Sequence, residues 1–250
     1  MKIAWESQGS GVPVLLVQGL GYARWGWDPV VPGLAERFRV LTFDNRGSGE
    51  SDKPAGPYTA REMAADALQV LDEAGLERAH VVGSSLGGMI AQEVAAAAPE
   101  RVDRLVLCST TPGGPNAVPM PEVTVRLFHE AALLPPDEAI RRFVENALGP
   151  DALPGLADEI YARRLANPPD PVAWQAQAAA GLTFQGVDRA ITAPTLIFHG
   201  TADNVVDHRN AELLAARIPG ARVELVPGGG HLFFWEQPEL FVRIVSEFLV

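Results

Sequence analysis

Apolar residues run almost unbroken through six short stretches of the chain: "VPVLLVQ" (12–18), "FRVLTFD" (38–44), "AHVVGS" (79–84), "VDRLVLCST" (102–110), "APTLIFHG" (193–200) and "ARVELVP" (221–227). Runs this short and this rich in Val, Ile and Leu predict strands, and their lack of polar alternation predicts strands covered on both faces. Between several of them, apolar residues recur at helical spacing over 60–74, 86–97, 208–217 and 238–249. A chain that alternates in this way builds a mostly parallel central sheet with helices on both faces, an α/β fold.

The rhythm stops between 112 and 187. Only helical patterns occur there, "EVTVRLFHEAALL", "PDEAIRRFVENALG", "LADEIYARRLANP" and "PVAWQAQAAAGL", separated by Pro and Gly breaks. One crossover between parallel strands needs a single helix. A segment of this length therefore predicts a helical cap, or lid, laid over the strand ends and inserted into a core domain made of residues 1–111 and 188–250.

Composition narrows the function classes. With 250 residues, 47% of them apolar, the chain can bury one large core. Lys and Arg number 20 against 31 Asp and Glu, a formal charge of -11, which repels phosphate backbones and anionic lipid. Neither nucleic acid nor membrane is an expected partner. No apolar stretch reaches the ~20 residues that span a bilayer, and "MKIAWESQGSG" lacks the apolar segment of a signal peptide. The expected location is cytoplasmic, which the single cysteine, Cys108, also suits because it has no partner for a disulfide. In the apolar run "RLVLCST" it reads as a small buried hydrophobe.

In an open α/β sheet, ligands bind outside the carboxyl ends of the strands, so residues just after a strand are the candidates for chemistry. Gly83-Ser84-Ser85-Leu86-Gly87 fits GxSxG at a strand-to-helix turn. Glycines on either side make room for a strained central residue whose side chain projects above the sheet. The alternative is a glycine turn with the serine as a helix cap. Asp203 follows the strand at 193–200 in "HGTADNVV", and His231 follows the strand at 221–227 in "VPGGGHLF". A serine hydroxyl needs an imidazole to accept its proton, and the imidazole needs a carboxylate to fix its tautomer and balance its charge. Asp207 is a rival acid, although "VDHRNAELLAA" gives it the look of a helix N-cap. His80, His129, His199 and His208 carry no motif and are assigned no catalytic role. Ser84 reads as support for the turn.

The order Ser85, Asp203, His231, each in a loop after its own strand, resembles the α/β-hydrolase family over nearly the whole chain. The resemblance implies an oxyanion hole made by the backbone N–H groups of Leu20, in "VQGLGYARWGW", and Leu86. It also implies a structural role for the loop "FDNRGSGESD". Two positions depart from the family pattern: Gln18 and Ser84 stand where histidine is common. The implied activity is a carboxylesterase for small, mostly apolar substrates, working without a cofactor through an acyl-enzyme. Its pocket is expected to draw on Trp25, Phe128, Phe143, Trp174 and Leu232. Lactone hydrolysis, of enol-lactones or acyl-homoserine lactones, uses the same parts. Relatives on the same fold also act as C–C lyases or as small-molecule receptors. No HxxxH, HxH or cysteine pair offers a metal site, and no glycine-rich phosphate loop is present.

Overall fold

The computed structural model describes residues 1–131 and 133–250. Among these residues seven strands form one sheet: β1 (Trp5–Gln8), β2 (Val12–Val17), β3 (Phe38–Phe43), β4 (Ala79–Ser84), β5 (Val102–Cys108), β6 (Thr195–Gly200) and β7 (Arg222–Val226). Their spatial order is β1-β3-β2-β4-β5-β6-β7, and every pairing is parallel except that of β1 with β3. Among the described residues ten α-helices accompany them: α1 (Val31–Ala35), α2 (Ala60–Glu73), α3 (Leu86–Ala97), α4 (Glu122–Ala131), α5 (Pro136–Asn146), α6 (Leu156–Ala166), α7 (Pro171–Leu182), α8 (Asn210–Arg217), α9 (Phe233–Glu236) and α10 (Pro238–Leu249). Among the described residues no helix is long and apolar enough to cross a membrane.

Successive strand residues point to opposite faces, and here each face meets its own core. Leu15 and Val17 of β2, Leu41 and Phe43 of β3, and Leu105 and Leu107 of β5 pack with Met63, Val70, Ile90, Val94 and Leu214 from α2, α3 and α8. Val14, Leu16, Val40, Val106 and Cys108 pack on the other side with Leu34, Phe234, Phe241 and Val245 from α1, α9 and α10. A fully buried side chain of this size contributes roughly 1.5–3 kcal/mol. Two dry faces therefore fix the strand register firmly, because a one-residue slip would exchange the two sets. Local signals agree with this. Thr59 and Glu62 form a reciprocal capping box that starts α2, and Pro238 opens α10.

Chain order determines where a ligand can enter. From β2 the chain moves to β3 on one side and then crosses back to β4 on the other. The loops leaving β2 and β4 therefore diverge and open a crevice at their carboxyl ends, the position at which sheets of this kind bind ligands. Helices α4–α7 lie between β5 and β6 in the chain and are tied to the loops around that crevice. Gln177 of α7 donates from Nε2 to the Arg46 carbonyl (2.7 Å) and to Ser48 Oγ (2.9 Å), and its Oε1 accepts from the Gly21 N–H (3.1 Å). The Ala176 carbonyl accepts from the Tyr58 N–H (3.1 Å), and the Ala147 carbonyl from the Leu232 N–H (3.1 Å). A hollow of about 590 Å³ between Leu76, Arg78 and Arg101 lies at the opposite, amino end of β4, away from this crevice.

Candidate active site

Residue 85 stands between the last residue of β4 and the first of α3, with φ 58° and ψ −121°. For a residue with a side chain this conformation costs on the order of 1–3 kcal/mol, and it persists only where the surroundings dictate it. Here they do. A Cβ on Gly83 would lie 2.2 Å from the Gly87 carbonyl oxygen, and one on Gly87 would lie 2.1 Å from the Val17 carbonyl oxygen. The turn is thus pressed against its own helix and against β2, while the Ser85 N–H is anchored on the Cys108 carbonyl at 2.9 Å. The serine hydroxyl makes no capping bond to α3, so the helix-cap alternative has no support in the geometry.

Asp203 lies in the turn after β6, buried. Its Oδ1 accepts from the Val205 and Val206 N–H groups at 2.8 and 2.9 Å. Its Oδ2 meets two imidazoles, His231 Nδ1 at 2.8 Å and His199 Nε2 at 3.0 Å. Burial alone pushes this carboxyl up, but the charge of His231 and the hydrogen bonds from both histidines outweigh it and hold the group below the usual carboxylate range. His231 follows three glycines that bring its loop against neighbouring backbone: a Cβ on Gly230 would lie 2.3 Å from the Gly149 nitrogen. Glu236 fastens the same seam, accepting from the N–H groups of Gly149 (2.9 Å) and Gly230 (3.2 Å). Burial pushes the Glu236 carboxyl up against the pull of those two bonds.

The end of β5 joins the serine and histidine loops. Thr110 Oγ1 donates to the Ser85 carbonyl (2.7 Å), and its neighbour Ser109 donates from Oγ to the His231 carbonyl (3.1 Å). Among the described residues no hydrogen bond links Ser85 Oγ to the imidazole. Such bonds are often long or misaligned in enzymes without substrate and tighten in the complex.

The loop after β2 closes on the same point. A Cβ on Gly19 would stand 3.1 Å from Ser85 Cβ and 3.7 Å from Ser85 Oγ. Neither the Leu20 nor the Leu86 N–H donates to a backbone carbonyl among the described residues, and the first N–H groups of a helix such as α3 are free by construction. Gln18 folds back so that its Oε1 accepts the Gly19 N–H at 2.7 Å, and its carbonyl accepts from Asn45 Nδ2 at 2.8 Å. The loop at 43–52 is tied as expected of a structural element. Asp44 accepts from the Arg24 N–H (2.8 Å) and guanidinium (2.6 Å), and Arg46 pairs with Asp66.

Aromatic rings form two groups near the loop after β2. Phe143, Phe128 and Trp174 form a chain with ring centres 5.0 and 6.5 Å apart. Trp25 joins Tyr22 at 5.1 Å and Trp235 at 6.1 Å. Trp174 covers Gly21, where a Cβ would lie 2.7 Å from its indole nitrogen. Leu232 is buried in the core on the α10 side. Arg164 of α6 lies 4.5 Å over the Tyr22 ring, and its buried Nε has no hydrogen-bond partner. Its neighbour Arg163 pairs with Asp28 and Glu159, whereas Arg164 pairs with no carboxylate among the described residues.

Asp207 is not the N-cap of α8; that position is Arg209. The Asp207 carboxylate instead accepts from the Arg209 N–H and guanidinium, at 2.9 and 2.6 Å. This occupies it away from His231. Cys108 is buried, and burial pushes its thiol up. Among the described residues no group of His, Cys, Asp and Glu side chains could hold a metal ion. Sequence reasoning missed His199, Glu236, Gln177 and Arg164 as neighbours of the site. Only His199 left a signal: a histidine at the end of an apolar strand, four residues before the candidate acid, has a carboxylate within one turn of chain.

A family model described as alpha/beta hydrolase fold matches residues 12–238. The 2-hydroxy-6-oxononadienedioate/2-hydroxy-6-oxononatrienedioate hydrolase of Cupriavidus pinatubonensis is 32% identical over 266 residues, which cover 99% of this chain and 90% of that protein. The enol-lactonase of Burkholderia xenovorans superposes with a TM-score of 0.85 at 27% identity, covering 99% of this chain and 96% of that one. A thermophilic esterase of Thermogutta terrifontis, solved with malate bound, superposes with a TM-score of 0.80 at 29% identity, covering 99% and 92%.

Proposed function

Because the chain belongs to the α/β-hydrolase fold family, we propose that it is a serine hydrolase that cleaves carboxylic esters of small, mostly apolar substrates through an acyl-enzyme. One observation carries this reading. Ser85 is held at positive φ by its glycine neighbours, makes no capping bond, and is joined by the end of β5 to the loop of a histidine already bonded to a buried carboxylate.

In the proposed cycle, Ser85 Oγ attacks the ester carbonyl carbon while His231 Nε2 takes its proton. Asp203 holds the His231 Nδ1–H and balances the charge that develops on the ring. The N–H groups of Leu20 and Leu86 receive the oxyanion, each contributing about 3 kcal/mol of transition-state stabilisation. Collapse of the tetrahedral intermediate expels the alcohol, which takes the proton from His231. Water then repeats the sequence and releases the acid, so no cofactor is consumed. Residues 112–187 serve as a cap on the core of 1–111 and 188–250. Phe128, Phe143 and Trp174 from the cap, with Trp25 and Leu232 from the core, line the acyl pocket.

A second reading, hydrolysis of a lactone that carries a carboxylate, is favoured by Arg164. A partly buried guanidinium with no acidic partner among the described residues suits an anionic group at the substrate's far end, and an enol-lactonase is among the similar structures.

The test is kcat/KM for p-nitrophenyl esters of increasing chain length, a hemisuccinate ester and a panel of lactones, on the wild type, Ser85→Ala and Arg164→Leu. Sustained ester turnover that disappears in Ser85→Ala is expected, whereas full activity in that variant overturns the assignment. A preference for the hemisuccinate or a lactone that Arg164→Leu abolishes selects the second reading.

A further inference from the structure

We propose that His199 is a positioning residue for acyl transfer, sharing the Asp203 carboxylate oxygen with His231 and so limiting how strongly that carboxylate draws charge onto the His231 ring. The inference rests on the proposed triad and extends it to a fourth side chain.

His199 belongs to β6 and is completely buried. Its Nε2 faces two oxygens, Asp203 Oδ2 and the Val206 carbonyl, both at 3.0 Å. A carbonyl and a carboxylate only accept, so Nε2 must carry the hydrogen. Nδ1 is buried with no partner among the described residues. A hydrogen placed on Nδ1 would be buried with no acceptor among the described residues, which leaves Nε2 as the donating nitrogen. It is a fixed donor.

Asp203 is thereby fully engaged. Two backbone N–H groups hold Oδ1, and two imidazoles divide Oδ2. When His231 takes the serine proton, the charge on its ring is balanced by that divided oxygen. A carboxylate with its charge spread over four donors stabilises the imidazolium less than a free one would. His231 is then a weaker base but a readier acid, and both roles occur in each cycle. Among the described residues no other charged group shares Oδ2. Glu236 is held by the Gly149 and Gly230 N–H groups, with Asp151 beside it. Asp207 is paired with Arg209, with His208 alongside.

The experiment compares the pH dependence of kcat/KM for ester hydrolysis in the wild type, His199→Phe and His199→Gln. Phe fills the volume without donating, and Gln returns an amide N–H near the Nε2 position. Losing one shared hydrogen bond should move the acid limb of His199→Phe upward by about 0.5–1 pH unit, and Gln should bring it most of the way back. An unmoved limb in His199→Phe, with or without a fall in kcat, reduces His199 to packing and overturns the proposal. Should His199→Phe not fold, nitrogen-15 NMR of the wild-type histidines decides. The proposal requires the hydrogen of His199 on Nε2 under the assay conditions, and a hydrogen on Nδ1 in its place contradicts it. Absence of wild-type turnover, or its survival in Ser85→Ala, would instead defeat the acyl-transfer reading while the NMR arm still reports on the shared oxygen.

Discussion

Around Ser85 an added methyl group has nowhere to go: a Cβ on Gly83, Gly87 or Gly88 would lie 2.2, 2.1 or 2.6 Å from its nearest neighbour. On α4–α7, by contrast, Val123, Val125, Phe128, Leu165, Val172 and Leu182 leave much of their apolar side chains in solvent. The first region is fixed by backbone against backbone at Gly83 and Gly87 and by the Thr110 side chain at Gly88, where displacement breaks buried hydrogen bonds and sheet register together. The second is attached by a few apolar side chains, Val144 and Ile160 in one core and Ala176 and Ala180 in the other, and by polar ties such as Gln177. On the proposed reading, reaction geometry belongs to the strand ends and substrate preference to the helices above them.

Substitutions should separate the two regions in a graded way. Gly87→Ala, which drives a methyl group into the Val17 carbonyl, should cost about 3 kcal/mol of stability; an unchanged urea midpoint would mean that the elbow is far more yielding than its contacts indicate. An intermediate effect is expected from Asp203→Asn, read as the difference in melting temperature from the wild type across pH. A carboxyl held below its ordinary value stabilises the folded state above the unfolded pKa, and that contribution is lost as pH falls through the folded value. The wild type's advantage should thus be full at neutral pH and shrink below about pH 4. An advantage that grows on acidification would reverse the sign of the argument. Least disruptive to the fold should be changes above the site. Trp174→Ala should raise KM for longer acyl chains about tenfold, equivalent to ~1.4 kcal/mol, with kcat for acetate nearly preserved, while Val172→Ser should stay within about 0.5 kcal/mol of wild-type stability. A collapse of acetate kcat in Trp174→Ala would show that the two regions are not separable.

Legibility follows the same division. Six strands and the main helices leave marks in the pattern because each buries a face, and the GxSxG turn is visible because its glycines are required locally. Strand β1 leaves none: Glu6, Ser7 and Gln8 are exposed and only Trp5 packs, so backbone pairing with β3 holds it, and pairing has no side-chain signature. The five-residue α1 is too short to show a period. Asp203 and His231 are candidates because both follow strands, whereas Leu20 and Leu86 are proposed for backbone N–H groups that any residue carries. Glu236, Gln177 and Arg164 act on partners distant in the chain, such as Gly149, Gly21 and Tyr22, which no local spacing announces.

The most direct test of the central claim, that Ser85 is made nucleophilic by His231 and Asp203, is covalent labelling with an alkyl fluorophosphonate followed by peptide mass spectrometry. The account predicts one label per chain on Ser85, with a rate that collapses in His231→Ala and after denaturation. Labelling at another residue, or no label on Ser85 while ester turnover continues, would contradict it.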